Sequence, residues 1–184
     1  MKSNPRAVRW LVLGLAISAG ACDSVNRLSD VETAPAYSTG AVNGSKMQQL
    51  LKLHTPAVGE TGSMTVNSQG GTLTVGGHML HVPAKTVDKT TLFIMTVMPG
   101  DYIHVDLKAF KRDGTPVTTF KTPVWLGLSY ASAAGDGDRP LTVTYLVDGT
   151  IDGRIQNVSS IMYTQWQMVF AELTHFSSYS AAID

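Results

Sequence analysis

Two short groups of residues have the types and the spacing for covalent chemistry. Cys22, the only cysteine of the chain, directly follows the small residues Ala19–Ala21, and its thiol is a nucleophile to which a lipid can be attached. Near the other end, His175, Phe176 and Ser177 are consecutive. A hydroxyl then lies one residue after a carbonyl that it could attack, with an imidazole beside it as the base. The first group predicts a lipid anchor, and the second raises the possibility of a self-cleaving peptide bond.

The segment before Cys22 has the organisation of an export signal. Three basic residues precede an apolar run from Trp10 to Ile17, which is too short to cross about 30 Å of hydrocarbon as a helix. We therefore predict that residues 1–21 form a signal peptide that is removed. Small residues before a cysteine resemble the lipobox of bacterial lipoproteins, in which the thiol is diacylated and the new amino terminus is acylated. The alternative is an ordinary secretory signal cut at the same bond, which leaves Cys22 as a free thiol.

Lipidation would fix the location of the protein. Each buried methylene contributes about 0.8 kcal/mol, and more than one acyl chain gives a stable anchor. We predict an exported protein that is lipid-anchored through Cys22 to a bacterial membrane and faces the periplasm or the cell surface. Of its 14 Lys and Arg residues, three leave with residues 1–21, so 11 remain against 14 Asp and Glu. Because nucleic-acid binding needs a clustered basic face, we predict no nucleic-acid partner.

The elements that must position these groups fall into two parts. Residues 22–61 are rich in Pro, Gly, Ser, Thr and Asn and lack a sustained apolar period, which predicts a lipidated and mostly disordered tether. Within this tether, Lys46–Leu53 could form two helical turns capped by Ser45. Residues 62–184 show the pattern of strands, and we predict an all-β fold there, a single β-sandwich of about 8–10 antiparallel strands.

Alternation of apolar and polar residues indicates where those strands lie. It runs through residues 103–109 and recurs at 124–130 and 141–147. Leu92 to Met98 is apolar apart from Thr96, which predicts a central strand covered on both faces. Asp-Gly dipeptides between the runs predict turns with positive φ, at positions 113, 148 and 152.

Five segments, taken in order, resemble a ZU-5 domain, the type named after zonula occludens and Unc-5 proteins and also found in ankyrins. They are residues 70–77, 80–87, 91–94, 120–124 and 173–179. The resemblance covers nearly the whole domain and implies a β-sandwich that joins proteins to one another. It therefore implies a binding or scaffolding module with a protein or cell-wall partner. Some ZU-5-bearing death-domain proteins and one nucleoporin cut themselves at His-Phe-Ser.

For the same cleavage here, Ser177 would attack the Phe176 carbonyl and give an ester by an N-to-O acyl shift, while His175 takes the hydroxyl proton. The reaction also needs backbone strain at the bond. The alternative, which we favour, is a closing strand that places Leu173, His175, Ser177 and Tyr179 on one face.

Other side chains of ligand type give weak indications of a site. His78 and His81 are three residues apart, which on a strand points them to opposite faces and argues against a shared metal. His104 and Asp106 share a face as a solvent-facing pair of little energetic weight. A glycine-rich loop could hold calcium but lacks further oxygen ligands; it contains Asp136, Asp138 and Arg139. We predict no metal, no cofactor and no turnover enzyme.

The tryptophans leave a further alternative open. Trp125 and Trp166 lie in strand-like runs, which favours packing in the core over a sugar-stacking surface. Were they exposed, the domain would be a carbohydrate- or peptidoglycan-binding module that uses aromatic side chains such as Tyr102 and Trp125.

Overall fold

Strands make up most of the chain that the computed structural model describes, namely residues 49–135, 139–153 and 155–183. In these ranges there are fourteen strands and one short 3-10 helix, Thr164–Trp166. The strands are β1 (Gln49–Leu50), β2 (Lys52–Ala57), β3 (Glu60–Val66), β4 (Gly71–Val75), β5 (His78–Val82), β6 (Thr91–Val97), β7 (Gly100–Tyr102), β8 (His104–Lys111), β9 (Thr119–Ser129), β10 (Leu141–Leu146), β11 (Ile155–Val158), β12 (Ser160–Tyr163), β13 (Met168–His175) and β14 (Ser178–Ile183).

Two antiparallel sheets form a β-sandwich, which confirms the predicted fold class. The larger sheet has the order β11-β10-β14-β8-β6-β3, with β1 added to β14, and the smaller one has the order β12-β13-β9-β5-β4. β2 and β7 form a separate two-stranded ribbon. The number of strands exceeds the expected 8–10 because several, such as β1 and β7, are only two or three residues long.

The core lies between the two sheets. Phe93 and Leu107 of the larger sheet and Leu126 and Leu173 of the smaller one are fully buried in it. Burying a side chain of this size stabilises the fold by about 1.5–3 kcal/mol. Residues 103–109 alternate as predicted, with their apolar members inward.

The run from Leu92 to Met98 departs from its prediction. β6 is an interior strand of its sheet, but it alternates between buried and exposed positions, and Leu92 is 38% exposed. The expectation of cover on both faces was wrong because this sheet packs against the other sheet through one face only. An apolar run cannot distinguish the two situations when its outward residues are also apolar.

Two of the three predicted Asp-Gly turns have the expected positive φ. Gly114 and Gly149 have φ values of 83° and 69°, which confirms the expected positive φ at both. Gly153 donates its N–H to the Thr150 carbonyl in a turn that does not require positive φ.

The segment expected to be tether already belongs to the sandwich from Gln49 onward. Leu51 is 2% exposed, its N–H donates to the Ala181 carbonyl and its own carbonyl accepts from the Ile103 N–H. The predicted helix over Lys46–Leu53 is therefore wrong in its described part, because pairing with β14 satisfies the backbone and buries Leu51, whereas two isolated helical turns are unstable. Cys22 and the predicted signal peptide lie outside the described residues. The described part of the chain contains no helix with the length and apolar character of a membrane span.

Candidate functional site

Aromatic side chains cluster on the outer face of the smaller sheet. They surround a shallow depression of about 300 Å³, and we refer to its lining residues as the aromatic platform: Met79, His81, Trp125, Tyr163, Trp166 and Phe170. The residues come from four successive parts of the sheet, β5, β9, β12 and β13, and from the 3-10 helix that follows β12.

Strand alternation explains how Trp125 reaches this face. Its neighbours Val124 and Leu126 are fully buried between the sheets, so Trp125 points to the opposite side of β9, where it is half-buried. Trp166 reaches the platform through a turn, since Gln167 adopts φ 51° and donates its N–H to the Thr164 carbonyl. The turn leaves Trp166 62% exposed. The expectation that both tryptophans pack in the core was wrong.

The exposed tryptophan is held by ring contacts. Trp166 stacks on Tyr163 with ring centroids 5.1 Å apart and planes 24° from parallel. Phe170 meets Tyr163 edge-on at 5.6 Å and 85°. Aromatic pairs in these arrangements contribute about 0.5–1.5 kcal/mol beyond the area they bury. The stack therefore presents a largely preformed aromatic surface to solvent.

Gly127 makes room for this arrangement. It lies opposite Phe170 in the β13–β9 register and opposite Met79 in the β5–β9 register. A Cβ atom added to Gly127 would be 2.5 Å from Phe170 Cε1, far inside the ordinary separation of about 3.5–4.0 Å. The absence of a side chain at Gly127 allows the Phe170 ring to lie over the backbone of β9.

Polar groups flank the aromatic rings. The strand registers place His81 opposite Trp125, Trp125 opposite Glu172, and Thr72 opposite His81. The Thr72 hydroxyl and His81 Nδ1 share a hydrogen bond of 2.9 Å, and Glu172 is exposed. Small-ligand sites generally combine apolar walls with a few such polar groups. This row provides hydroxyl, imidazole and carboxylate groups beside the rings.

Tyr163 and Phe170 were missed as site residues by sequence reasoning. The sequence is enough to place Trp125 on the outer face, because Trp125 alternates with apolar residues that point inward. The residues that lie beside Trp125 on neighbouring strands depend on the strand registers, which no local sequence pattern reveals. Tyr102, the other aromatic residue considered, is half-buried in β7 and lies outside the platform.

His175, Phe176 and Ser177 lie where the chain crosses from one sheet to the other. β13 ends at His175 in the smaller sheet, and β14 begins at Ser178 in the larger one. The expected single closing strand over Leu173–Tyr179 is therefore wrong. The residues on either side of Phe176 and Ser177 do form strands, β13 and β14, but these two strands belong to different sheets.

The Phe176 ring explains the crossing. It packs between the sheets, 4.7 Å from the Phe120 ring and 5.6 Å from the Phe93 ring. Its N–H donates to the Thr118 carbonyl, and the carbonyl of the next residue, Ser177, accepts from the Leu107 N–H. The backbone on both sides of the Phe176–Ser177 bond is thus tied to neighbouring segments.

The His175 imidazole is held among tyrosines. Its ring lies 5.1 Å from that of Tyr145 in an edge-on contact, and the Tyr179 hydroxyl donates to the His175 carbonyl at 2.9 Å. Burial lowers the pKa of His175, which favours the neutral imidazole. None of the three residues has positive φ; among described residues other than glycine, only Lys85 and Gln167 do. These contacts give His175 and Phe176 packing roles at the crossing.

The remaining histidines do not form a shared site. His78 is buried, its Nδ1 accepts the Ser129 N–H, and desolvation lowers its pKa to about 4. His81 is exposed on the outer face of the same strand, as the spacing predicts. Burial also lowers the pKa of His104, against the opposing effect of the Asp106 charge.

The acidic candidates have other partners or lie outside the described residues. Asp106 accepts a hydrogen bond from the Ser178 hydroxyl and forms an ion pair with Lys108, each at 2.9 Å. Asp136 and Asp138, in the loop that was considered for calcium, lie outside the described residues. Within the described ranges there is no cluster of three His, Cys, Asp or Glu side chains arranged to hold a metal ion.

Comparison of the sequence with protein-family models and with curated proteins finds no match. The resemblance to a ZU-5 domain therefore stays a prediction.

Proposed function

We propose that this protein is a carbohydrate-binding module of the cell envelope, anchored to a membrane through a lipid on Cys22. The observation that carries the binding proposal is the stacked pair of Tyr163 and Trp166, with Trp166 largely exposed. An aromatic ring in water leaves a large apolar face uncovered, and the apolar C–H face of a pyranose ring can cover it. Sugar hydroxyls at the edge of that ring need polar partners, which Thr72, His81 and Glu172 supply beside Trp125.

The shape of the site favours a sugar over a protein partner. The platform is a depression of about 300 Å³, near the lower limit of small-ligand sites. A stable protein–protein interface would need more than about 1,000 Å² of buried area. Among described residues, the large apolar side chains that are prominently exposed on this face are Ile161 and Trp166. The scaffolding role implied by the ZU-5 resemblance is the competing function.

The anchor is supported by the sequence Ala19–Ala21 before Cys22 and by the export pattern of residues 1–21. We expect the protein to incorporate labelled fatty acid and to partition into detergent, and Cys22→Ser to lose both properties. Equal solubility of the two forms in buffer would contradict lipidation.

The platform offers its own probe of binding. Of the three tryptophans, Trp10 belongs to the predicted signal peptide, so both tryptophans of residues 22–184 lie in the platform. A sugar ring placed on Trp166 should shift the fluorescence emission to shorter wavelength. We expect retention on insoluble polysaccharides or peptidoglycan sacculi, weakened about tenfold by Trp166→Ala and by Tyr163→Ala, which corresponds to about 1.4 kcal/mol.

A matched control is Val58→Ala, since Val58 is apolar, 95% exposed and outside the platform. This variant should bind as the wild type does. Retention unaffected by the loss of Trp166 and Tyr163 would contradict the proposal. Capture of a protein that needs the platform, with no retention on any glycan, would favour scaffolding instead.

A further inference from the structure

Positive charge is concentrated at one end of the sandwich. Two adjoining depressions of about 700 and 480 Å³ lie there and share Asp88, Lys89 and Lys111 in their linings. They contain five of the eight Lys and Arg side chains in the described part of the chain but only two of its eight carboxylates. We refer to the five cations as the cationic end: Lys85, Lys89, Lys111, Arg112 and Lys121.

None of these five cations forms an ion pair among the described residues. Ion pairs form instead between Lys52 and Asp101 and between Lys108 and Asp106. Asp113, one of the two carboxylates at the cationic end, instead accepts the Thr115 N–H at 2.9 Å. The cationic end therefore has an excess of positive charge that faces solvent.

The backbone that carries the lysines is hydrogen-bonded. Lys85 has a φ of 66°, and its N–H donates to the Ser68 carbonyl at 2.9 Å. The Lys111 N–H donates to the Thr115 carbonyl at 2.8 Å. The positive charges are thus presented from ordered turns.

The cationic end is continuous with the aromatic platform along β9. Lys121 and Trp125 both belong to β9, where Lys121 is exposed and Trp125 half-buried, and the register of β9 against β13 shifts between Thr119 and Val124. The two residues are four apart in the chain, so their Cα atoms are at most about 14 Å apart. On the adjacent strand, His81 of the platform lies near the end of β5, and Lys85 follows three residues after that end.

We propose that the glycan bound at the platform is an anionic polysaccharide, whose carboxylate or phosphate groups contact the cationic end while its sugar rings stack on the aromatic side chains. This inference rests on the proposed function. The position of Lys121 and Trp125 in one strand, and of Lys85 just after the strand that carries His81, favours a single extended ligand that has both ring faces and negative charges. Electrostatic attraction at exposed lysines weakens as salt rises, whereas ring stacking does not depend on charge.

The test uses polymers matched in backbone and different in charge. The pairs are polygalacturonate with its methyl ester and carboxymethyl cellulose with hydroxyethyl cellulose. Affinity electrophoresis of the protein should show stronger retention by the charged member of at least one pair. That preference should shrink between about 50 and about 200 mM salt.

The variants Lys85→Gln and Lys121→Gln should each weaken binding to the charged polymer about two- to fivefold, the range expected of one exposed ion pair. They should leave binding to the neutral partner polymer unchanged. Lys52→Gln is the control, since Lys52 is an exposed lysine on the β2–β7 ribbon, away from both surfaces. Trp166→Ala should weaken binding to both members of the pair.

The outcomes separate the two proposals. Equal retention by charged and neutral polymers, or a charge preference that Lys52→Gln reduces as much as Lys85→Gln and Lys121→Gln, would overturn the anionic ligand and leave the sugar platform standing. Binding to the charged polymer that Trp166→Ala does not weaken would overturn the proposal of one ligand spanning both surfaces. Retention by none of these polymers and by neither insoluble polysaccharides nor peptidoglycan sacculi would overturn the proposed function together with this inference.

Discussion

Replacing Gly127 by alanine tests whether the aromatic platform has the geometry described. The added Cβ would lie 2.5 Å from Phe170 Cε1 and 2.9 Å from Met168 Cε. The methyl group of Met168 ends a flexible chain and can turn away. The Phe170 ring is buried and contacts Tyr163 edge-on, so it cannot move without disturbing the Tyr163–Trp166 stack.

The expected loss of stability follows from the close approach of the added Cβ atom to the Phe170 ring. The ring has to shift by about 1 Å to restore an ordinary carbon–carbon separation, and overpacking of this kind typically costs about 1–3 kcal/mol. The free energy of unfolding of Gly127→Ala should fall by that amount, or roughly 4 °C in melting temperature for each kcal/mol. Near-UV circular dichroism should change, because it senses the packing of Tyr163 and Trp166.

Gly71→Ala is a matched control in the same sheet. Its Cβ would meet Met64 Sδ at 3.3 Å, a flexible neighbour, and Gly71 does not have positive φ. Alanine is favoured over glycine within a strand by about 0.5–1 kcal/mol, so this variant should be as stable as the wild type or more stable. Urea unfolding followed by far-UV circular dichroism compares the variants. A Gly127→Ala variant with wild-type stability and near-UV spectrum would refute the placement of Phe170 over β9.

Three further predictions concern the rest of the sandwich. Because burial holds the pKa of His78 near 4 in the folded state, below its ordinary 6.5, the unfolded state binds more protons between these values. The free energy of unfolding should therefore fall as pH drops from about 6.5 to 4, by up to about 3 kcal/mol. Unfolding experiments at several pH values should show a weaker pH dependence for His78→Gln. An equal loss of stability in both proteins would contradict this role of His78. Deleting residues 175–184 should abolish the cooperative unfolding transition, because β14 pairs with β1, β8 and β10 inside the larger sheet; a sharp transition in the truncated protein would show that β14 is dispensable. After incubation with hydroxylamine and then denaturation, wild type and Ser177→Ala should each keep its own full-length mass, and release of an eight-residue fragment from the wild type alone would establish self-cleavage.

The alternation of side chains was sufficient to locate β8, β10 and the second half of β9. Residues 103–109 show why: each residue is placed inward or outward by its immediate neighbours, and apolar side chains at every second position must share a face. The Asp-Gly turns at Gly114 and Gly149 were likewise predictable, because the positive φ they adopt is a local preference of the dipeptide.

Contacts between distant parts of the chain decided what the sequence left open. The segment from Gln49 became a strand because Ala182 and Ile183 of β14, more than 120 residues away, lie beyond the part of β14 that pairs with β8. Phe176 marks a change of sheet because Phe93 and Phe120 surround its ring.

The same holds for the two candidate surfaces. The sequence carries equal numbers of basic and acidic residues, 14 of each, yet folding brings five cations to one end of the sandwich. The alternation in the sequence places Trp125 on the outer face, but only the β13–β9 and β12–β13 registers bring Phe170 and Tyr163 beside Trp125. Local patterns fix the side of a strand on which a residue lies, whereas the residue that faces it across the sheet depends on registers set by long-range pairing.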